Sequence, residues 1–358
     1  MNRFAAVYLI PPSVFAAVLI GGGYGTGREV VEFFSRFGPT GGLAGLAFAT
    51  ALFAIIFGLT FDFARRKDTF EYVGFFRALI GKFWWAFEGL YLLLALLVLG
   101  VLSAAAENML SAEFGFGTNT GLLITLTFIA TLVFFGRTVL EAVLSFWTLS
   151  MYAVFVTYFF FVFGQTELST TRLSSTSIGV DAITGGALYV MYNVAIAPVL
   201  LFAAHPIQTQ REAFIVGLLT ALVLMIPATL FHVSFSFSST DVLNQPVPVY
   251  AMIDLYAPSW FRSLFVVALL GTLIQTGAGL IHGFIERLER VLQPDQDDAM
   301  PRKHRVSIAM GALAISWMLA QFGIIALIGQ GYTAMGIAFA VIYVAPLCIR
   351  YTFLRQTL

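Results

Sequence analysis

The chain has 358 residues, 59% of them hydrophobic and 11% charged, with zero formal net charge. Globular domains are about 45–50% apolar and roughly 25% charged, so this is the composition of an all-α integral membrane protein surrounded by lipid, with no room for a soluble catalytic domain. Balanced charge argues against a nucleic-acid surface, and the single cysteine, Cys348, excludes a disulfide framework or a thiolate cluster.

Apolar runs predict ten spans, near 5–36, 40–64, 83–111, 119–136, 138–164, 181–204, 211–236, 261–288, 305–328 and 332–352. From Phe4 to Phe37 the first would reach roughly 50 Å at about 1.5 Å per residue, so it must tilt, emerge or break. It is too long for a signal-peptide core and is expected to be retained. Gly21, Gly22, Gly23, Gly25 and Gly27 put the break among them; close helix packing through small residues is the alternative reading. Unwound backbone at membrane depth must be buried in protein or line a cavity, so these glycines with Tyr24 and Thr26 form half of a candidate substrate site. Thr26 is placed to cap the second half-helix, whose N-terminus would aim free N–H groups at a carboxylate.

Residues about 68–83, between the second and third spans, form an amphipathic segment expected to lie along the cytoplasmic surface. The sixth span carries its own interruption, because Pro198 cannot donate to the carbonyl of Val194. Tyr189, Tyr192 and Asn193 precede it and supply the other half of the site, although a proline kink with packed aromatics explains them too. Residues about 238–260 form a long extracytoplasmic loop between the seventh and eighth spans. Tyr72 and Trp84 recur as Tyr250 and Trp260 at nearly the same offset as the two breaks. The 1–358 domain is thus expected to hold two five-span repeats, about 4–164 and 181–353; five is odd, so the second runs inverted, as in secondary transporters.

Of 19 Lys and Arg, only Arg28, Arg36, Arg172 and Arg262 fall outside if the N-terminus is cytoplasmic. Both termini are therefore placed in the cytoplasm, with the chain in the cell (inner) membrane. His-Glu-x-x-His and Gly-x-Ser-x-Gly do not occur, which argues against an enzyme. Nothing in the sequence sets an oligomeric state.

The run Ile20-Gly-Gly-Gly-Tyr-Gly-Thr-Gly-Arg-Glu-Val-Val-Glu-Phe-Phe-Ser-Arg-Phe-Gly38 resembles the first-span signature of YkvI-like membrane proteins, G-[AG]-G-[FY]-x-[ST]-G-Q-E-x-x-x-F-F-x-x-[FY]-G, departing at Arg28, where Gln is usual. Tyr192-Asn193 before a proline and Gly331-Tyr332 opening the tenth span agree with it. The family is grouped with amino acid–polyamine–cation transporters, so the resemblance implies a LeuT-type five-plus-five fold and ion-coupled symport of a small zwitterion such as an amino acid. It also allows a sodium ion, the possible coupling ion, between carbonyls of Ile20 and Gly23 and the hydroxyls of Thr272 and Thr276, although membrane threonines commonly bond back to their own helix. No cofactor is expected. Proton coupling, an ion channel and a non-transporting receptor stay open. By the same resemblance, Arg28 and Glu29 fall at the outer gate, where Arg28 would pair with Glu107 of the third span.

Overall fold

The computed structural model describes residues 3–19, 23–135, 137–165, 178–292 and 301–356, and helix occupies each of the ten predicted ranges. Ile20, Gly21, Gly22 and Arg172 lie outside the described residues. Among those described, five stretches are long and apolar enough to cross a membrane: Arg28–Lys67, Tyr72–Phe114, Gln210–Phe235, Ser259–Glu289 and Ile324–Phe353. A sixth, Val180–Ile196 with Pro198–Ala204, is a pair bent by 66°. Phe134, Phe160 and Val341 are 63%, 75% and 65% exposed, part of an apolar outer surface of the kind lipid covers.

Among the described residues, helix Arg3–Leu19 and helix Arg28–Phe33 flank a 3-10 turn, Tyr24–Thr26, so the first span is broken before Arg28. Gly27 closes that turn at φ 74°, a left-handed conformation that costs glycine little. A Cβ there would also lie 2.6 Å from Phe235 and 2.7 Å from Val249. Gly27 holds the N-cap position, and the expected capping by Thr26 is made from one residue before it. The Thr26 hydroxyl sits one position earlier, donating to Gly23 O at 2.8 Å and accepting from Arg28 N at 3.1 Å. In the sixth span, helix Val180–Asn193 gives way to 3-10 turns at Val194–Ile196 and Pro198–Ala204, so the predicted break is present.

Backbones approach closely where the second span, Gly38–Lys67, meets its neighbours. A Cβ on Gly186 would lie 2.5 Å from Gly45 O, and one on Gly217 2.6 Å from Gly58 N, the small-residue packing that replaces hydrophobic drive in lipid.

The two loops are built as covers. Helix Tyr72–Ile80 is capped by the Glu71 carboxylate, which accepts from Val73 N at 3.1 Å and Gly74 N at 2.5 Å. Its apolar face, Phe75, Phe76 and Leu79, is buried in protein, with Phe76 stacked on Phe87 at 3.8 Å. The opposite loop forms helices Thr240–Leu243 and Pro248–Tyr256, and the latter buries Val249, Met252 and Ile253 against the first break and neighbouring spans.

One boundary moves. The ninth helix, Arg302–Ala320, ends early, and the tenth begins at Ile324, not 332, because the chain turns at Gln321–Gly323 inside an apolar run that hydropathy reads as continuous. The tenth contains two π-type stretches, Leu327–Tyr332 and Ala340–Val344. Such wide turns often mark functional positions.

Candidate functional site

A cavity of about 1050 Å³ starts at both breaks and runs between the spans to the face that carries Glu71, Tyr72, Glu286 and Arg287. Its inner end is formed by Gly23, Tyr24 and Glu29 of the first span, Tyr192 and Asn193 of the sixth, and Tyr332 of the tenth. On the opposite face a separate recess of about 640 Å³ is lined by Glu32, Arg36, Asn108 and the start of the tenth span. Residues Arg28–Phe33 lie between the two, and Arg28, Glu29, Val30 and Val31 are all buried.

The charge at the inner end is Glu29. Its side chain is 8% exposed, and Oε2 accepts the Tyr192 hydroxyl at 2.5 Å. The expected outer gate residue Glu29 thus lines the cavity instead. Tyr192 packs on Tyr332 at 4.6 Å between ring centres and on Phe33 at 5.6 Å. Asn193 lines the cavity but donates its amide to Tyr189 O at 2.9 Å. Tyr189 sits behind the wall, fully buried, with Phe34 at 4.9 Å edge-on. The Tyr24 and Tyr189 hydroxyls are buried without a hydrogen bond of acceptable geometry.

Arg28 takes the other direction. Its guanidinium donates to Glu32 at 3.0 Å, to Leu243 O at 2.6 Å and to Gln245 O at 3.3 Å, tying the 238–260 cover to the first span. Glu32 also bonds Arg36. The expected Arg28–Glu107 pair is not formed. Glu107 instead accepts Asn119 N at 2.8 Å and the Leu122 amide, capping helix Thr120–Phe135 across a tight turn whose Asn119 has φ 68°.

Two of the expected sodium ligands, Thr272 and Gly23, hold hydrogen bonds within the protein. Thr272 donates back to Ala268 O at 2.7 Å, and Gly23 O accepts both the amide and the hydroxyl of Thr26. Thr276 and Gly23 line the cavity. Among the described residues, no group of three or more His, Cys, Asp and Glu side chains gathers as a metal site. Gly25 and Thr26 are buried outside the cavity wall, and a Cβ at Gly25 would meet Met151 at 2.7 Å and Leu269 at 2.9 Å, which sets the eighth span against the break.

At the cavity mouth lies a group the sequence did not single out. Arg287 donates to both oxygens of Glu88, at 3.1 and 3.0 Å, with the Tyr91 ring centre 4.0 Å and the Tyr72 ring centre 4.5 Å from its guanidinium carbon. Their separation in the chain hides it, since two spans and a loop must come together before the four side chains meet. His232, by contrast, is a structural link: Nε2 donates to Pro39 O and Nδ1 accepts from Ser35, both at 2.9 Å.

No protein-family model matches this sequence, and no curated protein matches it. Among solved structures, the manganese transporter of Eremococcus coleocola, in complex with an aromatic bis-isothiourea substituted compound, is similar at 14% identity and TM-score 0.54, over 96% of this chain and 78% of that chain. The inward facing conformation of Mhp1 is similar at 13% identity and TM-score 0.56, over 92% of this chain and 72% of that chain. At these identities the likeness establishes the fold: an all-helical, multi-span membrane protein of the LeuT type with a broken helix.

Proposed function

We propose that the chain is an ion-coupled secondary transporter for a small amine-bearing solute, held here with its site open to the cytoplasm. The observation that carries this reading is the cavity that starts at both broken spans, ends on the buried carboxylate of Glu29 and opens on one face. Discontinuous spans that expose backbone and polar side chains at mid-membrane are where such transporters bind their cargo. The positive-inside distribution supports placing the open face and both termini in the cytoplasm. The halves, about 4–164 and 181–353, would rock about the site; a short covering helix between the second and third spans of each half supports their equivalence. The YkvI-like first-span motif agrees with a transport role.

Of the coupling ions, Glu29 favours a second reading in which protons replace sodium. A carboxylate at this depth, hydrogen-bonded by a neutral hydroxyl, is a place to hold a proton. Counterflow in proteoliposomes tests the main reading: preloaded solute should accelerate uptake of labelled solute. A channel gives no such exchange. Imposing sodium and proton gradients separately then identifies the coupling ion.

A further inference from the structure

We propose that this site selects an organic cation that carries no carboxylate, such as a primary amine, over a zwitterionic amino acid. The inference rests on the transport reading above and narrows its substrate class. Three observations lead to it.

The first is the charge balance of the wall. Among the described residues lining the cavity, the acids are Glu29, Glu71 and Glu286, and the base is Arg287. Arg287 is already held bidentate by Glu88 and enclosed by two tyrosine rings at the mouth. At the inner end the Glu29 carboxylate accepts the Tyr192 hydroxyl, and Tyr24 and Tyr332 line the same end of the cavity. A bound ammonium gives this buried carboxylate a counter-charge and a charged hydrogen-bond partner.

The second is the aromatic surround. The Tyr192 and Tyr332 rings lie 4.6 Å apart and both line the cavity beside Glu29. Ring faces within about 6 Å of a desolvated cation attract it, and the attraction grows with burial.

The third is that the first amide at the place expected for a substrate carboxylate is already bonded. The amide of Arg28, at the start of the second half-helix, bonds the Thr26 hydroxyl at 3.1 Å, and Phe235 and Val249 pack on Gly27 immediately before it. A zwitterion entering the inner end would bring its carboxylate toward Glu29 with no cation to receive it, at a cost of like-charge repulsion and unrelieved desolvation.

Three probes that share one ring and differ in charge decide the matter: phenethylamine, phenylalanine and 3-phenylpropionate. Each is titrated against the purified full chain in detergent at neutral pH, with thermal stabilisation as the readout. Phenethylamine should raise Tm in a saturable way, while phenylalanine and phenylpropionate leave it unchanged. Glu29→Gln, which keeps the shape, should weaken phenethylamine binding about tenfold or more, as loss of a charged hydrogen-bond partner does. Stabilisation by phenylalanine equal to or above that by phenethylamine overturns the proposal, as does failure of phenethylamine and of putrescine, run beside it, to stabilise at all. The wild-type series decides even if the variant fails to fold. Counterflow separates the two readings: exchange of zwitterions with no exchange of amines sinks the charge selection and leaves a transporter, whereas amine binding with no counterflow sinks the transporter and leaves the selection.

Discussion

The Tyr192 hydroxyl donates to Glu29 Oε2 at 2.5 Å, which ties the second half of the first span directly to the last turn before the break in the sixth. Tyr192→Phe removes this bond and keeps the ring contact with Tyr332. Affinity for the best-binding amine should fall about tenfold, with Tm changed by no more than a few degrees. Titration of both proteins measures it, and an unchanged affinity would show that the bond does not prepare the site.

Arg28 holds Leu243 O, Gln245 O and Glu32 together with one planar fork. Arg28→Lys keeps the charge but loses the fork, so the 240–248 segment should open more often. Hydrogen exchange in that segment should rise at least severalfold, and exchange in helix Gln210–Phe235 should stay as it was. Uniform protection across the two proteins would remove Arg28 as the tie.

Glu107 caps a helix and does not pair with Arg28. Glu107→Ala should lower stability by about 1 kcal/mol, in the range of a lost N-terminal cap. The double exchange R28E/E107R should transport no better than either single change. Recovery in the double variant would restore the gate pair that the structure does not show.

Glycine substitutions should divide by backbone approach. Gly186→Ala drives a methyl toward Gly45 O and should cost about 1–3 kcal/mol through overpacking. Gly89→Ala, in helix Trp84–Phe114, meets nothing within 4 Å and should be neutral or gain up to about 1 kcal/mol from helix propensity. Paired Tm measurements compare them directly.

The Glu88–Arg287 pair is buried on both sides. Glu88→Gln leaves the guanidinium without its counter-charge and should cost about 3–5 kcal/mol, whereas replacing both residues by Gln and Met should recover much of that loss. If the double variant is as unstable as the single, the tyrosine rings and not the ion pair hold this corner.

The sequence by itself determined the membrane class, the ten helical ranges and both breaks, because each depends on local properties: apolar run length, glycine density and a proline without an amide. Gly23, Tyr24, Tyr192 and Asn193, singled out in the sequence, all line the cavity. Direction was not legible. Whether Glu29 faces outward or into the cavity depends on how the half-helix leaves the break, which composition does not encode. Partner choice was equally hidden. Glu107 had a distant arginine to attract it by charge, but two backbone amides just across a turn bind it at no cost in long-range ordering. Tyr332 and the Arg287 corner come from spans far apart in the chain, and only packing brings them to the cavity. That packing is what moves the chemical reading from a site for a carboxylate toward one for an amine.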